Sequence, residues 1–144
     1  MPARVHVTRR FHFSAAHRVY NPAWSDEKNE AVFGPCSGPH FHGHNYELEV
    51  TVAGQPDPNT GYVIDLRLLK DLIETQVITQ LDHKNLNLDV PFLAGRIPSS
   101  ENLIIALWEE IRRLLPEGIQ LVCLRLWETP RNCFTYYGET LNPS

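Results

Sequence analysis

The chain has 144 residues, 42% hydrophobic and 21% charged, and a formal net charge of −4. These values fit a single globular domain spanning residues 1–144 with a sizeable core. The absence of a basic block argues against nucleic acid as a partner, and no apolar run approaches the length of a membrane span.

In chain order, Val5 to Phe13 alternates in polarity and predicts a first strand. From about Tyr20 to Pro39 the residues Pro, Gly, Asn, Asp and Ser predict a long loop. His42 to Ala53 predicts a second strand, ending at Gly54 and followed by the turn cluster Pro56-Asp57-Pro58-Asn59-Thr60-Gly61. Asp65 suits a helix N-cap, and Leu66, Leu69, Leu72, Ile73, Val77 and Leu81 then follow helical spacing to about Asp82. Residues 82 to 98 have no clear period. Ser99 or Ser100 can cap a second helix, with Glu101 favourable in its first turn. Leu103, Leu107, Ile111, Leu114 and Leu115 form that helix's apolar stripe, which Pro116-Glu117-Gly118 stops. Ile119 to Trp127 and Phe134 to Tyr137 predict two last strands. The sum is an α+β unit: four antiparallel strands with two helices on one face. Its open sheet edges favour oligomerisation.

Met1-Pro2-Ala3-Arg4 lacks the apolar core of a signal peptide, so a cytoplasmic location is the default expectation. The cysteines, Cys36, Cys123 and Cys133, cannot all pair and form no Cys-x-x-Cys. Free thiols in a reducing compartment follow. Cys123 lies in an apolar run and reads as core filler, Cys133 begins the last strand, and Cys36 sits in the long loop.

The histidines carry the chemistry. His42 and His44 are two apart at the start of a strand, so their rings project on one face. His17 closes the apolar segment that begins at Phe11 and supplies a third imidazole if the first two strands pair. Three neutral imidazoles with an open fourth position suit a catalytic zinc ion, whereas a structural zinc more often takes four ligands that include thiolates. His40 shares the alternation of His42 and His44 and competes as a ligand, but it lies beside Pro39, nearer the loop. By pattern alone Cys36 reads as a loop thiol, Asp82-His83 as a helix end and Glu128 as an acidic strand terminus.

Six segments, taken together and in order, resemble the 6-pyruvoyl-tetrahydropterin synthase family, which includes the 6-carboxy-tetrahydropterin synthases of queuosine synthesis. They are Phe13-Ser14-Ala15-Ala16-His17-Arg18, Phe33-Gly34-Pro35-Cys36, His42-Gly43-His44-Asn45-Tyr46, Leu81-Asp82-His83-Lys84-Asn85-Leu86-Asn87, Ser99-Ser100-Glu101-Asn102 and Trp127-Glu128-Thr129. The resemblance covers nearly the whole chain. It implies a T-fold (ββααββ), with three subunits joining their sheets into a barrel, two trimers stacking into a homohexamer, and sites between subunits. It further implies that His17, His42 and His44 ligate Zn2+, and that Cys36 is the catalytic thiol with Asp82 and His83 as relay partners. By the same resemblance Glu128 anchors a pterin ring, with Ser99, Ser100 and Glu101 lining its pocket. The implied substrate is 7,8-dihydroneopterin triphosphate. The five residues between Cys36 and His42 are closer to the pyruvoyl-forming branch than to the carboxy-forming branch, which releases acetaldehyde as well as triphosphate. A non-catalytic pterin- or metal-binding oligomer is the alternative from another class. Arg10, Arg18, Lys28 and Lys84 are the candidate cations for the substrate phosphates.

Overall fold

A computed structural model describes residues 3–139. Met1 and Pro2, which belong to the N-terminal segment read above for a leader, lie outside the described residues.

Two long strands form the centre. β1 (Val5–His17) and β2 (His42–Gly54) pair antiparallel along their whole lengths, from Val5 opposite Gly54 to His17 opposite His42. Strict alternation decides which residues face inward. Phe11, Phe13, Ala15 and His17 of β1 are buried, as are Tyr46, Leu48, Val50 and Val52 of β2. β1 therefore runs on through the apolar segment to His17 and does not stop at Phe13.

β4 (Gln120–Thr129) pairs antiparallel with β2, and β5 (Asn132–Tyr136) with β4. Bulges interrupt the ladders at Thr51/Val52 and Trp127/Thr129. The expectation of four strands needs correcting to five. A two-residue strand, β3 (Lys84–Asn85), pairs parallel with Ala15 and Ala16, giving the order β3-β1-β2-β4-β5. Two residues are too few for a periodic signal in the sequence, and only the backbone pairing defines them.

The helices pack on one face, as expected. α2 (Leu66–Ile73) starts at Asp65, whose carboxylate accepts from the Arg67 N–H at 2.9 Å. The predicted single helix to Asp82 is interrupted by a π-turn at Glu74–Ile78 before a last short turn, α3 (Thr79–Leu81). The hydroxyls of Thr75 and Thr79 donate to carbonyls four residues back, a contact that bends helices. The wider turn brings Val77 and Ile78, adjacent in sequence, both into the core. α4 (Ser100–Leu114) begins at Ser99, whose hydroxyl accepts from the Asn102 N–H. Its stripe of Leu103, Leu107 and Ile111 is fully buried against the sheet, each side chain contributing about 1.5–3 kcal/mol by leaving water.

The predicted loop from Tyr20 to Pro39 is more ordered than composition suggested. It holds α1 (Asp26–Phe33), capped by Ser25, and a 3-10 turn at Gly34–Ser37. The only buried residue of α1 is Asn29, whose amide accepts from Asn21 N–H and donates to the Asn21 and Ser25 carbonyls. A polar residue thus pins this segment, and no apolar face announces it. No helix among the described residues is long and apolar enough to cross a membrane.

Candidate metal centre and flanking clefts

The β1–β2 register builds the centre. It sets His17 directly opposite His42, with His44 next along the same face and only the methyl of Ala15 opposite it. The ligand atoms of the three imidazoles all lie within 4.8 Å of one another. His17 is buried, and its Nδ1 donates to the Pro98 carbonyl at 2.8 Å. A carbonyl can only accept, so Nδ1 carries the proton and Nε2 keeps its lone pair. His17 Nε2 and His44 Nε2 are both buried and both lack a hydrogen-bond partner. Two buried unpartnered nitrogens in one cluster are costly without a cation between them. Burial is the main cause holding the His17 and His42 rings below the usual imidazole range, reinforced by the neighbouring imidazoles. Neutral rings are the form that binds metal. The three-imidazole donor set therefore fits Zn2+.

His40 does not join the cluster. It is exposed, and Phe41 between it and His42 has φ +64°, which breaks the extended alternation that would have aligned the three rings.

Alternation along β4 through Leu124 and Leu126 carries Glu128 to the same side, at the bulge that ends the strand. Its Oε1 lies 3.9 Å from His44 Nε2, and its Oε2 accepts a short hydrogen bond from the Ser100 hydroxyl. The flanking residues separate by role. Ser99 is spent on the helix cap, buried Ser100 faces Glu128, and Glu101 is exposed on the outside of the first turn.

A cleft of about 500 Å³ is lined by Gly43, His44, Asn45, Trp127 and Glu128. A second, of about 480 Å³, shares Gly43, His44 and Asn45 and adds Ser14, His83, Lys84 and Asn85. Gly43, His44 and Asn45 thus line both clefts, with Glu128 in the first and His83 in the second.

Ser14 positions the second cleft. Its N–H donates to Asp82 Oδ1 at 2.8 Å, and its carbonyl accepts from the His83 N–H at 2.6 Å. Asp82 Oδ2 in turn sits 3.0 Å from His83 Nδ1. The hydrogen bond from Ser14 is the chief reason the Asp82 carboxyl lies below the usual carboxylate range; partial burial opposes it and His83 reinforces it. His83 has φ +61° and an exposed ring.

Cys36 lies exposed in the 3-10 turn. Among the described residues no hydrogen bond joins its Sγ to Asp82 or His83 within one chain. Of the candidate phosphate cations, Arg10 pairs with Glu47 and Glu49, Arg18 donates to the Ser37 carbonyl, and Lys28 lies over Trp24. Lys84 remains in the second cleft.

Sequence reasoning missed two residues. Tyr46 is fully buried behind the histidines, stacked on Phe13, with its hydroxyl 3.4 Å from His17 Nδ1. Burial and the Glu128 carboxylate hold its phenol above the usual range. The alternation His42, His44, Tyr46 was a signal for its place. Pro98 contributes only a backbone carbonyl, which no side-chain pattern reveals.

Comparison with known proteins agrees with this geometry. The family model "6-pyruvoyl tetrahydropterin synthase" matches residues 6–139. The 6-pyruvoyl tetrahydrobiopterin synthases of Pongo abelii and Homo sapiens are 45% and 44% identical, each over 92% of this chain and 91% of the relative. The solved 6-pyruvoyl tetrahydropterin synthase of Caenorhabditis elegans superposes with a TM-score of 0.89 at 37% identity, covering 96% of this chain and 98% of that one. With this match spanning both clefts and the histidine centre, the chain belongs to the 6-pyruvoyl tetrahydropterin synthase family of enzymes.

Proposed function

We propose that the protein converts 7,8-dihydroneopterin triphosphate to 6-pyruvoyl-tetrahydropterin with loss of triphosphate, in a zinc-dependent reaction. The observation that carries this reading is the cluster of His17, His42 and His44, with two buried ring nitrogens unpartnered, beside the Glu128 carboxylate. The pyruvoyl product is favoured because the relatives at 44–45% identity bear that name.

Glu128 recognises the pterin. The ring presents an N3–H and a 2-amino group side by side, and a carboxylate accepts both in a bidentate pair. Ser100 holds the carboxylate in place for this. A zinc ion held by the three imidazoles would supply Lewis acidity toward the side-chain hydroxyl oxygens. Cys36 removes a carbon-bound proton from the side chain. Asp82 orients His83 through their 3.0 Å contact, and His83 exchanges protons with Cys36 or the substrate. The internal redox shift oxidises the side chain and reduces the ring, so no external reductant is needed.

The same reading places the site between subunits of a homohexamer. Supporting it, β3 covers only Ala15 and Ala16 of β1, which leaves the Val5 to Phe13 edge unpaired among the described residues. An exposed edge of that length is a ready surface for a second chain. A partner's Asp82 and His83 could then meet Cys36.

The test is anaerobic incubation of zinc-loaded protein with 7,8-dihydroneopterin triphosphate, with products identified by mass spectrometry and Cys36→Ala alongside. A 6-pyruvoyl pterin whose formation falls to a small residual rate in the variant supports the proposal. A 6-carboxy pterin with acetaldehyde moves the protein to the other branch. Bound zinc and pterin without turnover indicates a binding protein.

A further inference from the structure

We propose that Arg18 and Asn87 are positioning residues that fix the Cys36 turn and the Asp82–His83 turn to the end of β1, in register with the histidine centre. The proposal rests on the reading of Cys36 as the base.

The chain leaves β1 at His17, and the next backbone groups are all committed. Arg18 N–H donates to Asn87 Oδ1 at 2.7 Å, and Asn87 Nδ2 donates back to the Arg18 carbonyl at 2.8 Å. One side-chain amide thereby imitates a strand partner. It extends the parallel β1–β3 pairing, in which Leu86 N–H already donates to the Ala16 carbonyl at 2.8 Å. The segment carrying Asp82 and His83 is therefore fastened to β1 at both ends, by Ser14 before β3 and by Asn87 after it.

The Cys36 turn is fastened to Arg18 and to the residue that follows it. Val19 N–H donates to the Cys36 carbonyl at 2.8 Å, and Arg18 Nε donates to the Ser37 carbonyl at 2.7 Å. Those two consecutive carbonyls follow the Cys36 Cα, so their anchoring sets the direction of its side chain. The Arg18 guanidinium is itself fixed, lying over the Tyr20 ring at 3.8 Å. Buried Ser37 closes the turn from within by donating to the Gly34 carbonyl at 2.9 Å. Three elements far apart in sequence thus share one short stretch of backbone beside a metal ligand.

The experiment uses zinc-loaded full-length protein and 7,8-dihydroneopterin triphosphate. Arg18→Met keeps the apolar stem and removes the Nε donor. Its expected effect is a fall in kcat of about tenfold or more, the scale set by small misplacements of reacting groups. KM and zinc content stay unchanged, and the alkylation rate of Cys36 by iodoacetamide shifts several-fold. Arg18→Lys recovers part of kcat. In residual turnover, the Arg18→Met effect vanishes in a Cys36→Ala background, because the two positions act as a unit. Asn87→Ala, which loosens the Asp82–His83 segment from β1, carries the same expected fall in kcat if Arg18→Met fails to fold. Unchanged kcat, additive losses in the double variant, or a joint loss of kcat and zinc with unaltered alkylation overturns the positioning role. Full activity of Cys36→Ala overturns instead the reading of Cys36 on which it rests.

Discussion

His17 Nδ1 donates to the carbonyl oxygen of Pro98 at 2.8 Å, tying a metal-ligand candidate in β1 to the residue just before the α4 cap. This contact fixes the tautomer that presents Nε2 to the centre, the arrangement in which an outer hydrogen bond raises ligand basicity. Zinc should therefore bind the folded protein and stabilise it, by about 2.7 kcal/mol at a hundredfold excess over Kd. Calorimetry in chelator and after zinc addition measures this. His17→Ala and His44→Ala should each abolish the zinc-dependent rise in unfolding temperature, and a wild-type protein indifferent to zinc would contradict the assignment.

Ser99 and Ser100 are adjacent yet occupy different environments, which makes them a discriminating pair. Ser99→Ala removes the α4 cap and should cost about 0.5–2 kcal/mol of stability without changing KM. Ser100→Ala frees the Glu128 carboxylate and should raise KM for the pterin with little change in stability. Urea titration and steady-state kinetics on both variants separate the two. Identical behaviour would show that Ser100 has no part in holding Glu128.

Glu128→Gln keeps the shape of the side chain and removes its charge. Hydrogen bonds to a charged group are worth about 1.5–3 kcal/mol, so pterin affinity should fall roughly ten- to a hundredfold. Zinc content should not change, because the three imidazoles remain. Fluorescence titration with a pterin analogue checks this, and unaltered affinity would remove Glu128 from the binding site.

The parts of the fold visible in the sequence are those with a period. β2 showed its alternation from His42 to Val52, and α4 its stripe from Leu103 to Ile111; the same alternation put His42 and His44 on one face. α1 was hidden because its single buried residue is Asn29, a polar group held by backbone contacts from Asn21, Trp24 and Ser25. β3 was hidden by its length. His40 was misleading because alternation presumes an extended backbone, and Phe41 leaves that region. Residue identity alone made Cys36 and Asp82-His83 unremarkable, and their candidacy came from the family resemblance. The Ser14 backbone that fastens Asp82 and His83 has no sequence signature, since any residue supplies an N–H and a carbonyl.

Asp82 should contribute to the pH dependence of stability on the acid side. Its carboxyl lies below the 3.8 of the free group, chiefly through the Ser14 N–H, with His83 adding to the effect against partial burial. The folded state therefore keeps Asp82 ionised where the unfolded chain binds a proton. The stability this contributes is complete above the unfolded value and is lost as pH falls through the folded value. Asp82→Asn preserves an oxygen to accept from Ser14 but cannot titrate. Urea midpoints taken between about pH 6 and pH 3 should fall more steeply for the wild type than for the variant, with the curves diverging below about pH 4. Parallel curves would mean that Ser14 does not hold the ionised carboxylate, and the fastening of the Asp82–His83 turn to β1 would lose its electrostatic support.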